Sequence, residues 1–115
     1  MKESLNLRIS PDTIFKSTVE TLEFTSWYLQ LKDRKVQMRI TQRIDRLRQG
    51  NPGDFESLGD GVYEMKLHFG LGYRVYYAIE GNTLIILLLG GTKRRQQADI
   101  DKSKAILNAI LKEGI

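Results

Sequence analysis

Residues 62–69 alternate without a break. Tyr63, Met65, Leu67 and Phe69 point one way and Glu64, Lys66 and His68 the other, because strand side chains repeat every two residues. A turn through Gly70, Leu71 and Gly72 reverses the chain into a second strand, 73–80, which sends Arg74 and Tyr76 to one face. Glu80-Gly81-Asn82 makes another tight hairpin, since glycine and asparagine tolerate positive φ. The next strand, 83–89, is apolar on both faces, which predicts a central strand covered on both sides. Elsewhere the period is helical. Phe24, Trp27, Tyr28 and Leu31 form one stripe of a helix over Thr21 to Leu31. Val36, Ile40, Ile44 and Leu47 fall within about a quarter turn of one another on a second helix. That helix starts near Asp33, where a carboxylate suits the dipole, and ends near Gln49, with Gly50 as its cap. A last helix over Gln96 to Lys112 carries Ile100, Leu107, Ile110 and Leu111 on one side. Asn51 to Asp54 and Gly59 to Gly61 read as turns, and Ile14 to Val19 as a short edge strand. The sum is an α+β domain: a small, mainly antiparallel sheet packed by two N-terminal helices, with a C-terminal helix. Residues 1–12 are polar, end in Ser10-Pro11-Asp12 and form an N-terminal extension to a single domain over 13–115.

Length agrees with this, because 115 residues suffice for one compact domain and are too few for two. No apolar run approaches the roughly 20 residues that span a bilayer, and the N-terminus lacks the apolar stretch of a signal peptide. The chain has no cysteine, which excludes disulfides and thiolate chemistry and makes the cytoplasm the default location. The formal charge of +4 matters less than its placement. Of 18 cations, seven lie between Lys32 and Arg48 and three are Lys93, Arg94 and Arg95. Such clustering favours nucleic acid or an acidic protein as partner.

Lys66 and Arg74 could share the polar face of one hairpin, with Lys93, Arg94 and Arg95 arriving at the end of the next strand. Cations gathered there without a metal-ligand set suit a phosphate-bearing polyanion. The plainer alternative is that Lys66 and Arg74 solubilise an open sheet face and pair with Glu64, whose part is to orient one of them. His68 is either an acid–base group on the same strand face as Lys66 or a surface histidine near a turn. Lys35, Arg39, Arg43 and Arg46 form a stripe beside the apolar seam of the second helix. It is either a solvated flank or a face that docks phosphates or a partner. Trp27 and Tyr28 fit core positions better than base-stacking platforms, and Asp99 fits a helix N-terminus better than a metal site. Gly90-Gly91 suits close phosphate approach or a strand end that needs a flexible backbone. No metal set, GxGxxG or P-loop is present, so neither metal nor cofactor is expected.

These residues, taken in order, resemble a known family. Trp27, the arginine-rich second helix, Gly50-Asn51-x-Gly53-Asp54, Gly59-x-Gly61-Val62-x-Glu64, Gly72-Tyr73-Arg74-Val75-Tyr76 and Gly90-Gly91-x-Lys93-x-x-Gln96-x-x-Asp99-Ile100 are similar to the RelE/ParE toxin superfamily. The resemblance covers about 14–110 and is nearest to the HigB-like branch, the addiction module killer or phage Gp49-like proteins. It departs at Leu71, where Gly-Pro-Gly is usual, at the variable position His68, and in the long N-terminus. The resemblance implies the toxin of a type II toxin–antitoxin pair, acting as a ribosome-dependent messenger RNA endonuclease that uses the neighbouring 2′-hydroxyl. The alternative it implies is a non-catalytic poison of DNA gyrase, or an inactive relative. It ranks Lys66, Arg74 and Lys93 as catalytic, supported by Glu64, His68, Tyr76, Arg94 and Arg95. The implied partners are a small helix-turn-helix antitoxin, the ribosome and messenger RNA, with no membrane.

Overall fold

A computed structural model describes residues 16–114. The expected extension over 1–12, and Ile14 and Phe15 of the expected edge strand, lie outside them. The described chain runs β1 (Ser17–Glu20), α1 (Leu22–Gln30), α2 (Arg34–Arg48), β2 (Phe55–Ser57), β3 (Tyr63–Leu67), β4 (Tyr73–Glu80), β5 (Leu84–Thr92), a 3₁₀ turn (Lys93–Arg95) and α3 (Gln96–Lys112). Helix starts follow capping chemistry. The Thr21 hydroxyl accepts from the Phe24 amide at 3.0 Å, and Asp33 accepts from the Lys35 amide at 2.8 Å. Gly50 closes α2 at φ +91°, a conformation that favours glycine.

One five-stranded sheet has the order β1-β5-β4-β3-β2, antiparallel except for β1 beside β5. The strand expected at the centre, β5, is interior but second from the edge, and β4 takes the middle. β1 lies parallel on the far side of β5, so both faces and both edges of β5 are covered. β2 was not expected, because three residues between two turns carry no readable period.

Each sheet face buries a separate core. Phe24, Val36, Ile40 and Leu47 of α1 and α2 pack on Met65, Leu67, Val75, Tyr77 and Ile85. On the other face Leu107 of α3 packs on Val62, Tyr76, Ala78, Ile86 and Leu88. The hairpin face expected to be open is therefore roofed by α3. Pairing along β4 and β5 jumps from Tyr77–Leu87 to Tyr76–Leu89, leaving Leu88 as an extra residue. This bulge reverses the alternation beyond it, as an inserted residue must. Gly90 then faces Trp27 of α1 and Gly91 faces Asp99 of α3. No helix among the described residues is long and apolar enough to cross a membrane.

Candidate functional site

The register brings the expected cations together. Lys66 lies directly across from Arg74, and Glu64 across from Tyr76, all on the sheet face against which α3 packs, with Lys66 beyond the helix's cover. Lys93 joins them through the hairpin turn, its amide donating to the Gly72 carbonyl at 2.8 Å. Gly72 sits at φ +72°, and a Cβ there would come within 3.2 Å of the Lys93 Cβ. Glycine is thus needed twice over, for the turn and for the approach of Lys93.

Between the cations lies Glu64, whose side chain is wholly buried. Its Oε2 accepts from Gln96 Nε2 at 2.7 Å and stands 3.7 Å from Arg74 Nε, while Oε1 is 4.0 Å from Lys66 Nζ. Gln96 is the first residue of α3, so docking of that helix and placement of the carboxylate are one event. Arg74 differs from the exposed cation expected. It keeps 5 % exposure, and its Nη1 donates to the Gly72 and Tyr73 carbonyls at 3.2 Å each. The physical reason is the roof of α3. Among the described residues, Glu64 Oε1, Arg74 Nε and the hydroxyls of Tyr76 and Ser103 are buried without a hydrogen-bond partner. Such orphaned groups are costly, and a concentration of them fits a site kept for function rather than stability. Burial, and then the nearby Glu64 charge, push the Tyr76 phenol well above its ordinary range, so it stays protonated.

Lys66 faces outward. Its ammonium donates to Glu56 Oε1 at 2.8 Å. That hydrogen bond, helped by the charges of Glu56 and Glu64, outweighs burial and raises its pKa. Lys66 is therefore a fixed cation and not the neutral base that a lowered pKa would make it. Lys93, Arg94 and Arg95 are exposed along the 3₁₀ turn.

His68 does not join this cluster. β3 ends at Leu67, the Phe69 amide turns back onto the Leu67 carbonyl at 3.0 Å, and the imidazole pairs with Asp54. The His68 hydrogen bond is the main cause that holds the Asp54 carboxyl below the usual range. His68 lines a small pocket with Arg39, Arg43 and Arg46, on the α2 side of the sheet rim. The basic stripe of α2 is itself divided. Arg43 donates to the carbonyls of Lys66, Pro52 and Asp54 at 2.8, 3.3 and 3.3 Å, stapling the loop before β2 to β3. Arg39 lies 4.6 Å over the Phe69 ring, a cation–π contact. Lys35 and Arg46 are exposed.

Three partners in this arrangement were not foreseen as such: Glu56, Asp54 and Gln96. Gln96 stands inside a motif already noted, so its position was visible while its contact was not. Asp54 likewise stands in a motif already noted, whereas Glu56 depends on β2, which no pattern revealed. Among the described residues no group of three or more His, Cys, Asp or Glu could hold a metal ion.

A family profile described as phage derived protein Gp49-like (DUF891) matches residues 28–110. An uncharacterized protein of Haemophilus influenzae (strain ATCC 51907 / DSM 11121 / KW20 / Rd) is 43 % identical over 90 residues, spanning 78 % of this chain and 91 % of its own. No solved structure matches the chain.

Proposed function

The chain belongs to the phage-derived Gp49-like family, commonly of the RelE toxin type, and from that premise we propose that it is the toxin of a HigB-like type II toxin–antitoxin pair. Its reaction is cleavage of translated messenger RNA on the ribosome. The observation that carries this reading is the convergence of Lys66, Arg74 and Lys93 at one end of the sheet, around a buried carboxylate.

Attack of a 2′-oxygen on the adjacent phosphorus forms a P–O2′ bond and breaks the P–O5′ bond, leaving a 2′,3′-cyclic phosphate. The phosphorane carries extra negative charge, and placed cations stabilise it more than the ground state. Lys66 and Lys93 face solvent and contact the phosphate oxygens. Arg74 lies beneath them and adds its positive field, held in place by Glu64 and two carbonyls. Lys93 protonates the departing 5′-oxygen, and the 2′-hydroxyl proton passes to an acceptor supplied on the ribosome. The neighbouring antitoxin would be a small helix-turn-helix protein, and neutralisation would cover this rim.

Expression without a partner should arrest growth, and primer extension on a translated transcript should reveal new cuts within codons. Those cuts should vanish when initiation is blocked or when Lys66 and Lys93 are both replaced by alanine. Intact messages in arrested cells, with gyrase-linked DNA breaks instead, would overturn the reading in favour of a gyrase poison.

A further inference from the structure

β1 closes one edge of the sheet, and all four of its residues are exposed. The Ser17 amide donates to the Thr83 carbonyl at 2.8 Å and the Thr21 amide to the Leu87 carbonyl at 3.1 Å. Odd-numbered positions therefore turn their peptide groups toward β5, and Thr18 and Glu20 turn theirs outward, as a parallel ladder requires. No strand among the described residues lies on that outer edge. Main-chain donors and acceptors left in a row are a template for one more strand.

The two faces beside this edge differ. On the α3 side lies an open groove of about 830 Å³, lined by Val19, Leu84, Ile86, Ile106, Ala109 and Ile110. Val19 faces it, because Val19 pairs with Ile86, and Ile86 belongs to the core under α3. Val19 keeps 48 % exposure, and Leu22, which also lines the groove, keeps 82 %. Contiguous apolar surface left in water marks a binding face. On the α2 side lies a smaller pocket of about 230 Å³ that includes Thr18, Glu20, Thr41 and the ion pair of Asp45 with Arg48. The charged residues of the larger groove are Glu20, Glu23 and Glu113 against Lys102 alone. In a chain of net charge +4, this edge is acidic.

A strand added here would send alternate side chains to the two faces. Every second residue would meet the apolar groove, and the residues between would meet Glu20 and Asp45. The edge thus fits a polypeptide that is apolar at alternate positions and basic between them. A nucleic acid does not fit, because the acidic rim repels phosphate. A second copy fits poorly, since a two-fold pair would set Glu20, Glu23 and Glu113 against themselves. Leu5, Leu7 and Ile9 of the chain itself also alternate. A two-residue turn at Pro11-Asp12, however, would set Leu5 across from Thr18, on the polar face.

We infer that the β1 edge and its groove receive an extended segment of a partner polypeptide, paired to Thr18 and Glu20, with apolar side chains against Val19 and lysine or arginine between them. This goes beyond the cutting of RNA and does not depend on it. The groove shares Leu22, Glu23 and Lys102 with a second groove that runs past Trp27 to Arg95. A partner anchored at β1 therefore has a path toward the Lys93 rim, which gives an antitoxin a hold outside the cation cluster.

The probe is a fluorescein-labelled heptapeptide of alternating lysine and leucine, titrated with the full chain and followed by anisotropy. Binding should saturate, and glutamate in place of lysine should abolish it. Two further peptides carry N-methyl groups, one on the lysine amides and one on the leucine amides. Only one set of amides can face β1, so only one of the two should bind about tenfold or more weakly, the scale of two lost main-chain hydrogen bonds. Which one it is gives the direction of the added strand. Val19→Lys puts a cation in the groove, and Thr18→Pro removes an amide that faces away from β5. Each should weaken binding by a similar factor with an unfolding midpoint near that of the native protein. Should the proline unfold the chain, Val19→Lys and the methylated pair decide. Equal binding of both methylated peptides, or binding that survives Val19→Lys, would overturn the assignment. So would a full chain that ignores the peptide. Binding restored by Leu5→Asp with Leu7→Asp would then make the occupant its own segment, and a dimer split by Val19→Lys would make it a second copy.

Discussion

Arg74 faces a carboxylate with no solvent exposure, and it keeps little of its own. Two opposite charges in such a place are each other's solvent, so removing one strands the other. Arg74→Ala would leave Glu64 with the Gln96 amide on Oε2 and with Lys66 at 4.0 Å from Oε1. The expected loss of stability is about 3 kcal/mol or more, read from urea unfolding. A second substitution, Glu64→Gln, should recover part of it, because the two positions share one interaction. Lys66→Ala should cost much less than Arg74→Ala, since its hydrogen-bonded partner Glu56 is exposed and only Glu64 Oε1, 4.0 Å away, is buried. Lost cutting by Lys66→Ala in a fully folded protein is therefore the clean test of the site, whereas Arg74→Ala confounds chemistry with folding. Native-like unfolding of Arg74→Ala would show that the buried pair contributes nothing to the fold.

At the scale of elements, the bulge in β5 decides which helix each glycine meets. Gly90→Ala drives a methyl into the Trp27 ring, which can yield by turning the indole aside or by lifting α1 from the sheet. Overpacking of this kind costs about 1–3 kcal/mol, visible as a lower unfolding midpoint together with a shift in Trp27 emission. An unchanged emission and midpoint would mean that α1 is not seated on Gly90. The helices and the three long strands were legible because their apolar periods are long enough to repeat. So was the sharing of one hairpin face by Lys66 and Arg74, which needs only alternation and a turn. The rest was not local. Three residues of β2 cannot show a period, so the partner Glu56 stayed hidden, and the pairing of Asp54 with His68 spans residues far apart in sequence. The bulge is one extra residue in an all-apolar run, where alternation has no polar marker to lose. The roof of α3 is a packing choice, and it turned an expected surface arginine into a buried one. His68 left the Lys66 face because β3 stops one residue before it.

Across the whole molecule, the cations surround the end of the sheet where the β3–β4 hairpin turns. Lys66, Lys93, Arg94 and Arg95 lie on the α3 side and Arg39 and Arg46 on the α2 side, in a chain of net charge +4. Such a distribution steers a polyanion to the rim rather than to the surface at large. The α2 stripe does not act as one unit, however. Arg43 is a staple whose loss frees the carbonyls of Pro52, Asp54 and Lys66, so its replacement tests folding and not docking. Lys35 and Arg46 carry exposed charge and can be changed without touching the seam of Val36, Ile40 and Leu47. If, in the proposed docking on the ribosome, both contact phosphates, each releases its share of bound counterions. Replacing both with glutamine should then weaken ribosome binding. It should also reduce the slope of log affinity against log salt by about 1.4 to 1.8, from 0.7 to 0.9 per phosphate contact. The unfolding midpoint should stay put, because both side chains stand in water. A slope unchanged by the double replacement would make this flank of α2 a solvated face and leave ribosome docking to the side that carries Lys93, Arg94 and Arg95.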